Sequence, residues 1–194
     1  MTRFATGRRV IFWEEPIRLV DLNVPALASR TCTGSGVIVV TPQLPERLTA
    51  QAREAALAEL LDEMLETHEG DLVRWYCSPT MLPFSRRLSA VCTVYDCMDE
   101  YAASPEVAKL ERELMVAADV VFTGDHSLWA ARRDQHPNVH FVGACGIDAA
   151  LAESSWDETF ARVNHEISRA AAMRRRACVD PQAMGCGLAE RQLH

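Results

Sequence analysis

No run in this chain approaches the ~20 apolar residues of a membrane-spanning helix. Met1 to Gly7 also lacks the apolar core that a secretory signal needs. The expected location is therefore cytoplasmic, with peripheral contact with a membrane left open. No Cys-x-x-Cys pair occurs among the seven cysteines, at positions 32, 77, 92, 97, 145, 178 and 186. An odd, scattered set argues against both a disulfide framework and a zinc site, so reduced, mostly buried thiols and no metal are expected. Surplus positive charge is missing as well. A net charge of -7 at pH 7 argues against a partner that is a nucleic acid, whose phosphates call for a basic face. There is no Gly-x-Gly-x-x-Gly after the first apolar run, no phosphate loop and no Gly-x-Ser-x-Gly elbow. No bound cofactor is expected.

What is present is a succession of short apolar runs separated by helical patterns. With 194 residues, 48% of them apolar, the chain is long enough for one full core, burying on the order of 70% of its extended-chain surface. Strands are expected at 9–13, 36–40, 71–76, 91–95, 118–123 and 139–142. The first stops at Glu14-Glu15-Pro16, where proline prevents continuation, and the second closes at Thr41-Pro42. The mixed segment 17–35 reads as an excursion with an edge strand around 18–22. Helices are expected over 49–68, where Ala56, Leu57, Leu60, Leu61, Met64 and Leu65 form an apolar stripe, and briefly up to Leu88. Another starts at Ser104-Pro105-Glu106, and one runs from the Gly124 turn to about Gln135. A last helix begins at Ser154 and ends in Arg174-Arg175-Arg176, a cluster that complements the helix dipole or meets anionic lipid.

Alternation of strands and helices at this spacing predicts right-handed βαβ units. The expected fold is α/β: a doubly wound, Rossmann-like, mostly parallel six-stranded sheet in the order 3-2-1-4-5-6. Residues 1–148 would form this domain, 149–176 a terminal helical segment packing on it, and 177–194 a loosely ordered tail.

The stretch 90–101 is the centre of this arrangement. Val91-Cys92-Thr93-Val94-Tyr95 has no polar alternation, as a strand buried on both faces requires, and it ends in Asp96, Asp99 and Glu100. Ligands of open α/β sheets sit beyond the carboxyl ends of the strands. In the expected order the ends of the first and fourth strands are neighbours, so Glu14, Glu15, Asp96, Asp99 and Glu100 would converge. Close carboxylates raise one another's pKa, and one held near neutrality could take a proton from a hydroxyl. The same acids could accept hydrogen bonds from a ligand without chemistry, or merely cap and solvate a loop. Asp125-His126-Ser127 cannot form a hydrolytic triad, because adjacent side chains diverge. Asp125 or Ser127 is expected to cap a helix, with His126 facing the crevice. Trp13, Trp75 and Tyr76 lie near strand ends and could stack on a ligand ring, with core packing as the alternative.

Several of these stretches form an ordered set from Val10 to Val139: Val10-Ile11-Phe12-Trp13-Glu14-Glu15-Pro16, Val39-Val40-Thr41-Pro42-Gln43-Leu44-Pro45, Trp75-Tyr76-Cys77-Ser78-Pro79, Leu82-Pro83-Phe84, Val94-Tyr95-Asp96-Cys97-Met98-Asp99-Glu100, Ala118-Asp119-Val120-Val121-Phe122-Thr123-Gly124 and His136-Pro137-Asn138-Val139. The set resembles the amino-terminal half of bacterial GT-B glycosyltransferases of the family 1 or family 4 kind, which act in cell-wall and exopolysaccharide assembly. Trp156-Asp157-Glu158-Thr159-Phe160 is similar to the opening of their final helix. The resemblance implies transfer of a hexosyl group from a nucleotide sugar to a saccharide or lipid-linked acceptor. It makes Asp96 the candidate base, with Glu14 and Glu15 beside it, and Asp99, Glu100, His126 and Tyr76 candidate acceptor contacts. A second Rossmann domain of roughly 150 to 200 residues would stand between Asp148 and Ser154 in such an enzyme, and only a few residues stand there. The alternative expectation is a non-catalytic acceptor-binding or interaction module. It would be a homodimer or the companion of a separate chain carrying the donor domain.

Overall fold

The computed structural model describes residues 1–98, 104–142 and 149–179, the last segment with side chains from 156 to 177. The chain forms two compact units. Met1–Gly70 and Met81–Leu88 make the first, and Asp71–Thr80 with the chain from Ser89 onward make the second.

In the first unit a four-stranded sheet is built on one long strand. β1 (Ile11–Trp13) and β2 (Ile17–Leu19) run parallel to β4 (Ile38–Pro45), and β3 (Ala26–Thr31) pairs with it antiparallel. The β3–β4 hairpin closes through Gly36, whose φ of 70° is the left-handed conformation that glycine adopts without strain. The excursion expected over 17–35 thus contains two strands: β2, which overlaps the edge strand expected around 18–22, and β3, which was not expected. β4 also runs through the proline at which it was expected to stop, for a physical reason. Ile38 N donates to Val10 O at 3.0 Å, and Glu14 N donates to Val40 O at 2.8 Å, so even-numbered residues of β4 turn their backbone groups toward β1. The next amide in that row belongs to residue 42, a proline without an N–H. Opposite it, Glu14, Glu15 and Pro16 take up three positions against Thr41 and Pro42, a one-residue bulge that interrupts the ladder before Ile17 resumes it against Gln43.

One face of this sheet carries the core. Leu44, Trp13 and Leu27 pack with Ala56, Leu57, Leu60 and Leu61 of α1 (Ala50–Leu65) and with Phe84 of α2 (Leu82–Ser85). Thr49 caps α1 by accepting from Ala52 N at 3.2 Å. The other face carries Phe12, Ile17 and Leu19, which remain 41%, 42% and 37% exposed.

The second unit is a parallel sheet in chain order: β5 (Val73–Tyr76), β6 (Cys92–Cys97), β7 (Val120–Thr123) and β8 (Val139–Phe141). α3 (Pro105–Ala117) joins β6 to β7, α4 (His126–Arg132) joins β7 to β8, and α5 (Ala149–Val179) follows. Tyr95 and Cys97 meet α3 and α4: the Tyr95 hydroxyl donates to Glu111 Oε1 at 3.1 Å, and Arg132 pairs with the same oxygen at 2.7 Å. The alternate face meets α5, whose buried stripe is Val163, Ile167 and Ala170. There His140 faces Glu166 at 3.4 Å, and Arg174 grips Asp119 at 2.7 Å. Arg175 pairs with Asp71, so two arginines of the terminal cluster hold carboxylates of their own unit.

The expectation of α/β architecture with parallel strands therefore holds, but the single six-stranded sheet in the order 3-2-1-4-5-6 does not form. The described residues contain eight strands in two four-stranded sheets. The first and second expected strands do pair, as β1 and β4, and the fourth to sixth do lie side by side. The third, β5, sits beside the fourth, where the first was expected. Strands consecutive in sequence most often become neighbours, and this local preference overrides the reversal on which the expected order relied. Among the described residues no helix is long and apolar enough to cross a membrane.

Candidate functional site

The acids expected to converge are divided between the two units. Glu14 and Glu15 belong to the first unit and Asp96 to the second, and the pairing that would have set β1 against β6 is replaced by β5 against β6. Asp99 and Glu100 lie outside the described residues.

Glu14 is occupied within its own sheet. The Thr41 hydroxyl donates to its Oε2 at 2.5 Å and Arg30 to its Oε1 at 3.1 Å. The Thr41 hydrogen bond, helped by the Arg30 charge, holds its carboxyl below the ordinary 4.5. A carboxylate so stabilised is a poor proton acceptor at neutral pH. Glu15 is exposed on the bulge.

Asp96 is in the opposite condition. It stands at the carboxyl end of β6, an interior strand of its sheet, between the part-buried end of β5 and Phe122 of β7. The Trp75 indole N–H donates to its Oδ2 at 3.3 Å. Burial raises its pKa above the ordinary 3.8, and the Trp75 hydrogen bond only partly offsets that. Among the described residues no ion pair holds it. The Trp75 ring lies nearly parallel to Phe122, centroids 6.0 Å apart, and Phe122 is 6.0 Å from the His140 ring. One carboxyl is thus set into an aromatic strip at the end of the sheet.

Cys77, just beyond β5, flanks Asp96 on one side. Cys77 is an exposed residue, yet partial burial of its thiol, together with the Asp96 charge, pushes it up to about 11, so it stays protonated at neutral pH. On the other side is Met98, whose thioether lies over Gly124. A Cβ built on that glycine would stand 3.2 Å from Met98 Cε and 3.3 Å from Sδ. Met98 itself is 54% exposed.

Tyr76 is buried, and its register with Tyr95 sets it on the α3 and α4 face of the sheet, away from Asp96. His126 is exposed on the first turn of α4, its ring 5.1 Å from Trp129 and edge-on to Phe141 at 5.7 Å. Asp125 caps α4 as expected. It accepts from Leu128 N at 2.9 Å and from Ser127 N and Oγ at 2.7 Å, and these bonds hold its pKa below 3.8. The expected cap Ser104 stands at its position, but its hydroxyl donates to Glu106 at 2.5 Å.

The first unit has a shallow groove of about 430 Å³ between α1 and α2. Its cation, Arg87, is already engaged by Asp62 at 2.7 Å and by Ala58 O at 2.7 Å, so it offers a ligand little polar chemistry. Among the described residues no three of His, Cys, Asp and Glu gather in a metal-holding group. Sequence reasoning reached Asp96 through its place after an apolar run. It passed over Met98 and Cys77, because the alternation that carries them onto the face of Asp96 becomes visible only once strand register is known. Comparison of the chain with family models, curated proteins and solved structures finds no match.

Proposed function

We propose that this chain is an acceptor-binding module, which receives a hydroxyl of a saccharide or saccharide-bearing lipid at the carboxyl ends of β5, β6 and β7. The observation that carries the reading is Asp96: a part-buried carboxyl at the end of an interior parallel strand, without an ion pair among the described residues, set beside the rings of Trp75 and Phe122. A carboxylate accepts hydrogen bonds from hydroxyls, and aromatic faces accommodate the C–H side of a sugar ring. The resemblance to the acceptor-side half of GT-B glycosyltransferases supports the same ligand class.

The raised pKa of Asp96 favours a second, enzymatic reading. In it a separate chain supplies the donor half and the nucleotide sugar. The acceptor oxygen bonds to the anomeric carbon, the bond from that carbon to the diphosphate breaks, the hydroxyl proton passes to Asp96, and a nucleoside diphosphate leaves.

Isothermal titration separates the readings. Simple alkyl glycosides should bind the intact chain and lose most of their heat with Asp96→Ala; binding that survives this change would remove Asp96 from the site. Nucleotide sugars should give no heat with this chain alone under the binding-module reading. Donor binding, or transfer of labelled hexose by this chain, would replace that reading with the enzymatic one.

A further inference from the structure

The surroundings of Asp96 restrict what can approach it. Asp96 pairs with Phe122 and Cys97 with Thr123, so continuing the register sets residue 98 opposite residue 124. The Met98 thioether lies where a side chain on Gly124 would begin. Side chains two apart share a face of a strand, and Met98 therefore stands on the same face as Asp96, at its outer edge. The Cys77 thiol occupies the other flank. Among the described residues, the Met98 thioether and the Cys77 thiol are the sulfur-bearing side chains on these two flanks.

We propose that Met98, seated on Gly124, is a specificity-determining wall of the Asp96 site, selecting acceptors whose bound hydroxyl adjoins an apolar segment such as an alkyl or aryl aglycone. The proposal rests on the acceptor-binding reading of Asp96. Met98 suits the task because an unbranched thioether adjusts to irregular apolar shapes, and because more than half of it is uncovered. Gly124 has no side chain, and its backbone is not in the left-handed region. A Cβ there would meet only the flexible end of Met98, at 3.2 and 3.3 Å, so alanine would press the thioether back by a small step.

The test is titration calorimetry with matched methyl and octyl glycosides of glucose, galactose and mannose, each kept below the concentration at which it forms micelles. The wild-type chain should bind the octyl member of at least one pair about tenfold more tightly than the methyl member, the scale set by burying a few methylenes. Met98→Gln, which keeps the length and removes the apolar character, should bring the two affinities together. Gly124→Ala, which displaces the thioether without touching the ligand side of Asp96, should narrow the gap by a smaller factor. Equal affinities in the wild type that are lost in Asp96→Ala would overturn the role of Met98 and leave the Asp96 site standing. A preference that survives Met98→Gln would do the same. Failure of every glycoside to bind would overturn both.

Discussion

The sheet of the second unit is closed on both sides: Cys92 and Val94 on one face of β6 and Thr93 and Tyr95 on the other are all at 0% exposure. In the first unit Leu44 is equally buried on the helix side, yet Phe12, Ile17 and Leu19 across the sheet stay more than a third exposed. Two sheets of four strands thus use their residues differently. One is a filled interlayer along its central strands β6 and β7; the other is a floor with a single layer of helix on it. In the filled sheet the buried polar groups Tyr95, Glu111 and Arg132 gather in one hydrogen-bonded cluster. The half-covered sheet can spend Glu14, Thr41 and Arg30 on its open face, where water satisfies what they leave over.

That contrast can be broken by substitution. The largest effect should come from Glu111→Ala, which leaves the Arg132 guanidinium and the Tyr95 hydroxyl without their shared partner. A loss of roughly 3–5 kcal/mol is expected, seen as a lowered urea midpoint and as faster hydrogen exchange in β6 and β7. Leu44→Ala, on the covered face of the other sheet, should cost about 3 kcal/mol, with the exchange change confined to residues 1–70 and 81–88 if the two units open independently. Gly36→Ala forces a side chain into the left-handed region at the β3–β4 turn and should cost about 1 kcal/mol.

A smaller, pH-gated change is expected at Asp96. Its pKa is raised in the folded state, so the folded chain binds its proton more tightly than the unfolded one. Stability therefore falls as pH rises from about the ordinary 3.8 through the folded pKa, and the penalty stays constant above it. Asp96→Asn keeps an acceptor for the Trp75 N–H without the charge. Melting temperature should be higher than wild type at pH 7, with the advantage gone below the ordinary carboxyl pKa; a deficit at pH 7 would show the carboxylate to be stabilised in the fold. Leu19→Ser on the open face should shift stability by no more than about 0.5 kcal/mol, and a drop comparable to Leu44→Ala would mean that this face is covered.

The difference between the sheets also explains what could be read from the amino acids. The run from Val91 to Tyr95 announces itself because a strand buried on two faces needs no polar alternation. The stripe from Ala56 to Leu65 does so because a helix on one sheet face repeats every three to four residues. β2 and β3 give no such signal: Ile17–Leu19 and most of Ala26–Thr31 are exposed, and an exposed strand selects weakly for apolar residues. Strand order was illegible for another reason. Crossover handedness constrains how each βαβ unit winds, but no residue in β5 declares which edge of which strand it will join. Setting Glu14 beside Asp96 rested on placing the first strand next to the fourth, the edge that β5 takes instead. Asp96 survived as a candidate because its position at a strand end depends on its own strand alone.

The proline inside β4 and the bulge between β1 and β2 are two irregularities that occupy one spot. Each hides the other, since the missing donor at Pro42 meets no waiting acceptor in register. Their fates are consequently tied. Restoring an ordinary residue at 42 would create a hydrogen-bond donor facing a kinked neighbour, and straightening 14–16 would present a carbonyl to a ring. Only a simultaneous repair of both strands would yield a smooth ribbon, and that ribbon would swing Glu14 away from Thr41, dissolving its cluster with Arg30 on the uncovered side.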